Sequence, residues 1–433
     1  MKNVEFRQQK SLKKRSNKPN FLHLLGPGLI TGASDNDPSG VGTYSQAGAQ
    51  FGFGLLWTML FSYPLMIGIQ EVGARLGRVT GHGIAGNLRR HYPTWVSYSI
   101  AFLLVIANTL NLGADIGAMG ASLKLLLGGS PLLYAVLFAL ISLVLQITIP
   151  YHRYASVLKW LTLSLFAYVA TVLAIHVPWG QALQGTFFPS ISFQSDYLTT
   201  LIAILGTTIS PYLFFWQASQ EVEEVQTKPE EEPLFRAPEQ APEQLSRIKL
   251  DTFTGMAFSN IVAFFIILTA AVSLHARGQI NIESAQQAAE ALRPIAGNFA
   301  FLLFSIGIIG TGLLAVPVLA GSAAYAVGEA LKWPTGLERK PLQAKGFYTI
   351  LAVATLIGLG LNFTPINPIK ALFWSAVING VVAPPIMIMM MLLITNRQVM
   401  GQFIASRRLR LLGWAATAVM TIAVIGLFAT FGK

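Results

Sequence analysis

Long apolar runs alternate with short polar connectors along the chain. Eleven runs stand out, at roughly 23–50, 55–76, 95–123, 131–149, 155–176, 197–219, 251–275, 299–328, 346–362, 369–395 and 409–431. A helix needs about 20 such residues to cross the ~30 Å hydrocarbon core of a bilayer. The pattern therefore predicts an all-α polytopic membrane protein with 11 transmembrane helices in a single domain, 23–433. Two runs are interrupted. The first contains Gly32-Ala33-Ser34-Asp35-Asn36-Asp37-Pro38-Ser39-Gly40, the sixth Gly206-Thr207-Thr208-Ile209-Ser210-Pro211-Tyr212. A spanning helix pairs its amides within itself, so a break at depth is tolerated only where it lines a polar cavity. Breaks at corresponding places in two halves point to the substrate site of a secondary transporter. Because the first break carries carboxylates, the substrate should be a cation.

Composition agrees: 53% of the residues are hydrophobic and 11% charged, too apolar for a soluble domain. The net charge of +11 could suggest nucleic acid, but its placement argues against that. Of the 30 Lys and Arg, 25 fall in connectors on the N-terminal side of the membrane and 5 on the other, namely Lys124, Arg277, Arg293, Lys370 and Lys433. The bias predicts a multi-pass cell-membrane protein with a cytoplasmic N-terminus and an external C-terminus. The basic excess is then topology plus attraction to anionic lipid. Residues 1–22 read as a disordered basic cytoplasmic tail, not a signal peptide. The Glu-, Pro- and Gln-rich stretch Glu221–Glu243 reads as a solvated loop. With no cysteine, disulfides and thiolate metal sites are excluded. No nucleotide loop, paired-histidine motif or serine elbow marks an enzyme, and no cofactor is implied.

An ionisable residue at membrane depth is costly and therefore a functional candidate. Asp37 leads. It precedes Pro38, which pushes it out of the helical region, and Ser39, Gly40 and Gly42 are expected to extend the unwinding and free carbonyls. Asp before Pro can also simply cap the second half-helix. Asp35 is a candidate for the cavity or a proton path, and Asn36 for satisfying backbone. In the second break Pro211 deprives the Thr207 carbonyl of its amide partner. Ser210 adds a hydroxyl, with Thr208, Tyr212 and Gln217 nearby, although a proline kink with back-bonded Ser and Thr fits as well. Asn108, Asn111 and Asp115 share one face of the third segment, either lining the cavity or tying helices together. Asn379 is the strong polar group of the tenth. Glu71 reads as a local pair with Arg75, and the histidines are too scattered for a metal cluster. Gly52-Phe53-Gly54 and the glycines from Gly113 to Gly120 read as close helix packing.

These residues resemble the Nramp family of divalent metal transporters over nearly the whole chain. The opening Gly26-Pro27-Gly28, the Asp-Pro break, the proline break in the sixth segment and the eleven runs all match. The resemblance implies a LeuT-type fold with inverted repeats of five helices, about 23–176 and 197–395, and an extra helix at 409–431. It carries the family's Asp ligand onto Asp37, while Gly40 stands where the family has Asn. Thr207 takes the family's backbone-carbonyl position, and Ser210 replaces its methionine. Tyr212 and Gln217 stand in place of two histidines, and Asn111 and Asp115 in place of an Asp and a Glu. The ninth segment lacks the family's arginine.

Thioether sulfur favours soft transition metals, whereas Mg²⁺ takes oxygen and keeps several waters. An all-oxygen, wider site resembles the Nramp-related magnesium transporters. The expected function is alternating-access transport of Mg²⁺, with Mn²⁺, not coupled to protons. Proton-coupled Mn²⁺/Fe²⁺ transport is the alternative, and an amino-acid or amine carrier of the same fold a more distant one. The expected partners are the divalent ion and the lipid bilayer, with no nucleic acid.

Overall fold

The structure, a computed structural model, describes residues 27–150, 153 and 160–430. The expected tail at 1–22 lies outside the described residues, as does Lys433. The described chain is helical, with no strand among the described residues. The first run is the broken pair α1 (Pro27–Asp35) and α2 (Pro38–Phe51); α3 (Trp57–Thr80) follows a bend of 106°. Next come α4 (Ile84–His91), α5 (Thr94–Leu127), α6 (Pro131–Thr148), α7 (Phe166–Ala174) and α8 (Trp179–Phe187). The sixth run is the second broken pair, α9 (Ser195–Thr208) and α10 (Pro211–Thr227). The remaining long helices are α11 (Ala241–Ser273), α12 (Ala300–Leu331), α13 (Lys345–Leu361), α14 (Pro368–Thr395) and α15 (Arg407–Thr430).

By length and composition, seven helical stretches among the described residues can cross a membrane, or eight if the bent pair through α2 and α3 is one span. The rest of the eleven expected segments are the separate first run and the shorter apolar helices Leu163–Ala174 and Lys345–Leu361.

Small residues let these helices approach where lipid offers no hydrophobic drive for association. A Cβ on Gly206 would collide with the Ala376 carbonyl and the Gly380 backbone, so α9 and α14 touch main chain to main chain beside the second break. A Cβ on Gly113 would sit 2.6 Å from the Gly358 carbonyl, which confirms the packing role of that glycine run. Gly52 differs from expectation: with φ of 55° it starts the 3₁₀ turn Gly52–Leu55 that redirects the chain into α3. A left-handed φ favours Gly.

The Glu-rich stretch also departs from expectation. α10 runs on to Thr227, and Glu221 and Glu223 are buried. Fully buried Arg78 pairs with Glu231 at 2.6 Å, and Arg247 with Glu221 at 2.6 Å and Glu224 at 3.1 Å. A composition typical of solvated loops is ordered here because its carboxylates meet arginines from α3 and α11.

Candidate functional site

The two breaks meet across α2 and α9. In the first, unwinding is confined to Asn36 and Asp37, because α2 begins at Pro38. The expected extension through Ser39, Gly40 and Gly42 does not occur. Asp37 is the helix cap, extended at φ −63° and ψ 170°, with Oδ1 accepting from the Gly40 amide at 2.6 Å. A carboxylate here satisfies an amide that the helix leaves unpaired. Its second oxygen accepts from Asn111 Nδ2 at 2.9 Å. Asp115 Oδ1 accepts from the Ser39 amide at 3.2 Å. Asn111 and Asp115 are thus brought to the break, whereas Asn108 reaches α12, donating to the Leu319 carbonyl at 2.8 Å and Ser322 Oγ at 2.7 Å.

In the second break the chain uses a donor. Pro211 has no N–H for the Thr207 carbonyl, and Ser210 is extended at φ −82° and ψ 127°. The Ser210 hydroxyl turns back to the carbonyls of Gly206 and Thr207, both at 2.7 Å. Back-bonding and coordination were alternatives in the sequence, and the first is present. It leaves the hydroxyl lone pairs and one lone pair of the Thr207 carbonyl as acceptors. Gly40 joins the two breaks: a Cβ there would lie 3.0 Å from Thr207 Oγ1 and 3.3 Å from Asp37 Oδ1.

Of the other candidates, Tyr212 stays at the break, its hydroxyl also hydrogen-bonded to Asp37, and the rest separate. Thr208 is back-bonded inside α9, 3.0 Å from the Ile204 carbonyl. The Tyr212 hydroxyl donates to the Ser34 carbonyl at 3.2 Å, pinning α10 to the end of α1. Gln217 lies further along α10 in an amide chain, accepting from Gln70 at 2.5 Å and donating to Thr252 at 3.0 Å. Asn379 is buried next to the Gly206–Gly380 crossing, and its Oδ1 has no partner. Asp35 is fully buried, with Oδ2 bonded to the Ser259 hydroxyl of α11 and Oδ1 unpartnered. Neither side-chain polar atom of Asn36 has a partner, contrary to the expected backbone role. Glu71 pairs with Arg75 at 2.6 Å as expected.

Two contributors were not foreseen. The Ser39 hydroxyl donates to the Leu372 carbonyl at 3.1 Å and ties α2 to α14. Ser259 faces Asp35 from 224 residues away, a pairing that carries no local signal in sequence.

Oxygen dominates the arrangement. Asp35, Asp37 and Asp115 are buried, and none forms an ion pair among the described residues. Unpartnered oxygens remain on Asp35, Asn36, Asn111, Asp115 and Asn379. No three of His, Cys, Asp and Glu converge as a metal cluster among the described residues. Asp35, Asp37 and Asp115 are shielded from solvent. A cavity of about 410 Å³ reaches Gly42, Thr200 and Phe373 but not Asp37. Another of about 520 Å³ at the opposite face is lined by His82, Arg89 and Glu329.

The description of the natural resistance-associated macrophage protein-like (Nramp) proteins matches residues 28–430. The chain belongs to the Nramp family. Among its relatives, the divalent metal cation transporter MntH of Klebsiella pneumoniae strain 342 is 26% identical over 412 residues, 92% of each chain. MntH of Caldanaerobacter subterraneus is 26% identical over 404 residues, covering 91% of this chain and 89% of that one. The crystal structure of the Eremococcus coleocola manganese transporter superposes with a TM-score of 0.76 at 17% identity, covering 97% of this chain and 90% of the other. MhsT in complex with L-phenylalanine gives 0.58 at 15% identity over 93% and 98%. This Nramp chain therefore has the LeuT-type fold that the sequence implied.

Proposed function

We propose that this Nramp chain moves divalent cations across the membrane by alternating access, with Mg²⁺ as its first substrate and Mn²⁺ as its second. The reading rests on Asp37, a buried carboxylate at the break, with oxygens of Thr207, Ser210 and Asn379 on the surrounding elements; the Gly40 carbonyl, expected as a ligand, stays inside α2 and drops out of the set. No thioether or imidazole stands at the positions where the family has them. Hard oxygen ligands suit Mg²⁺, and sulfur would favour softer ions. Proposed repeats at about 23–176 and 197–395 would rock against each other around the breaks. The bias of 25 against 5 Lys and Arg supports a cytoplasmic N-terminus and an external C-terminus.

The amino-acid reading meets a physical obstacle. A substrate carboxylate would use free amides at the start of α2, but those of Ser39 and Gly40 already serve Asp115 and Asp37. A Mn²⁺-first reading has the printed names of the MntH relatives and of the Eremococcus transporter in its favour. Competition uptake into proteoliposomes separates the two. Mg²⁺ should compete with Mn²⁺ at comparable concentration; Mn²⁺ uptake unaffected by a large excess of Mg²⁺ would reverse the order.

Transport should be uncoupled from protons. Gln217 carries an amide chain where the family has a titrating group, and Tyr212 and Asn111 are likewise neutral. A divalent ion gains roughly 2.3 kcal/mol per charge per 100 mV, about 4.6 kcal/mol in all, or more than a thousandfold accumulation. Vesicles holding a trapped pH dye should show no acidification during Mg²⁺ entry, even when a negative interior speeds uptake. Proton entry scaling with metal entry would overturn this and direct attention to Asp35 and Asp115.

A further inference from the structure

The face opposite the 410 Å³ cavity carries a cluster of cations that transport does not use. The 520 Å³ cavity there is lined by His82, Arg89, Arg90 and Lys332. A second cleft of about 350 Å³ shares His82 and Arg90 and adds His91 and Arg236. These side chains come from four places: the turn before α4, the last turn of α4, the 228–240 connector and the end of α12. Cations in the last turn of α4 complement its dipole, but that does not account for His82, Arg236 or Lys332.

Three arginines elsewhere on this face, Arg75, Arg78 and Arg247, have carboxylates. Arg78 pairs with Glu231 and Arg247 with Glu221 and Glu224. Arg90, Arg236 and Lys332 make no ion pair among the described residues, and Arg89 bonds to the Ala330 carbonyl and, at 3.1 Å, to the Tyr98 hydroxyl. The carboxylate in the cleft, Glu329, is already taken by amides of Gly83, Ala85 and Gly86 and by the Ser219 hydroxyl. Burial, together with the charges of Arg90, Arg236 and His91, pushes the His82 imidazole below its usual range. Like charges gathered in one cleft repel, and an anion seated among them would offset the repulsion.

Position tells which anion. α4 buries Ile84, Ala85 and Leu88 and ends in Arg89, Arg90 and His91, an arrangement suited to a helix in the membrane interface. Phe235, which lines the second cleft, is 58% exposed, and Trp95 at the start of α5 66%, apolar rings of the kind that spanning proteins place at the interface. We infer that the cleft between α4, the 228–240 connector and the end of α12 binds the phosphate headgroup of an anionic phospholipid, held by Arg90, Arg236 and Lys332. Such basic pockets between spanning helices are lipid headgroup sites by their chemistry.

The test is native mass spectrometry of the full chain in neutral detergent, titrated with phosphatidylglycerol and, separately, phosphatidylcholine. The protein should retain one phosphatidylglycerol and no phosphatidylcholine. Each cation near a membrane surface contributes about a fivefold change in affinity. Arg90→Gln with Arg236→Gln should therefore weaken retention about 30-fold. Arg407→Gln with Arg408→Gln, basic residues outside the cleft, should leave retention within about twofold. Equal weakening in both pairs would reduce the site to diffuse surface charge and overturn the proposal, as would full retention in the first pair. Inorganic phosphate that displaces the lipid and raises the melting temperature by itself would make this a soluble-anion site instead. If the first pair fails to fold, Lys332→Gln alone should weaken retention about fivefold.

Discussion

The two helix breaks solve the same backbone problem with opposite chemistry. Each places a proline at the first position of its second half-helix, and each leaves backbone groups without helical partners. At the first, the residue before proline is Asp37, an acceptor that reaches forward to the Gly40 amide. At the second it is Ser210, a donor that reaches back to the carbonyls of Gly206 and Thr207. The first break therefore concentrates negative charge, while the second presents neutral oxygens. One charged and one neutral wall are what the proposed cation site rests on.

The largest expected effect breaks the charged wall alone. Asp37→Asn keeps an acceptor for the Gly40 amide, so the cap persists while the charge goes. One carboxylate charge against a divalent ion at about 4 Å and an effective dielectric near 20 amounts to about 8 kcal/mol, so Mg²⁺ affinity should fall by at least about a thousandfold. Asp37→Ala should match that loss and also cost about 1 kcal/mol of stability through the lost cap. Calorimetry and thermal melting on both variants separate the roles. Near-wild-type binding by Asp37→Asn would show that Asp37 only caps.

A smaller effect tests what each wall selects. Ser210→Met with Gly40→Asn places sulfur and an amide where the family has them, and should move preference from Mg²⁺ toward Mn²⁺ and Cd²⁺ by about tenfold in competition uptake. The Asn side chain must fit where a Cβ already lies 3.0 Å from Thr207 Oγ1 and 3.2 Å from the Asp35 carbonyl, so Ser210→Met alone belongs beside it. An unchanged ranking in both variants would show that neither wall sets selectivity.

The architecture was legible because membrane helices announce themselves by length and prolines by position. Both breaks, Asp37, and the shared face of Asn111 and Asp115 followed from such local rules. The sequence could not show that the Asp115 carboxylate serves the Ser39 amide 76 residues away, or that Asp35 meets Ser259. Those bonds depend on how helices pack. Composition misled at Glu221–Glu243, because acidic residues read as solvated until Arg78 and Arg247 are placed against them. Asn36 misled in the other direction: residue type suggests a backbone partner, but the neighbouring groups are engaged elsewhere.

The smallest effects sharpen the neutral wall by setting two neighbouring hydroxyls against each other. Thr208 Oγ1 bonds to the carbonyls of Ile204 and Leu205, which lie within the regular helix, where the Thr208 and Ile209 amides serve them. The bond is redundant, so Thr208→Val should leave uptake within about twofold and change stability by less than 1 kcal/mol. Ser210 instead serves two carbonyls that the break has deprived of their amides. Ser210→Ala should therefore cost about 1–3 kcal/mol without ion, the range for leaving buried acceptors unpaired. Bound Mg²⁺ can take up the Thr207 carbonyl, so the ion should restore part of that loss. The Mg²⁺-induced rise in melting temperature should then be larger in Ser210→Ala than in the parent chain, and unaltered in Thr208→Val. An equal rise in all three proteins would mean that the Thr207 carbonyl does not face the ion, and the neutral wall would have to be sought on α14 at Asn379.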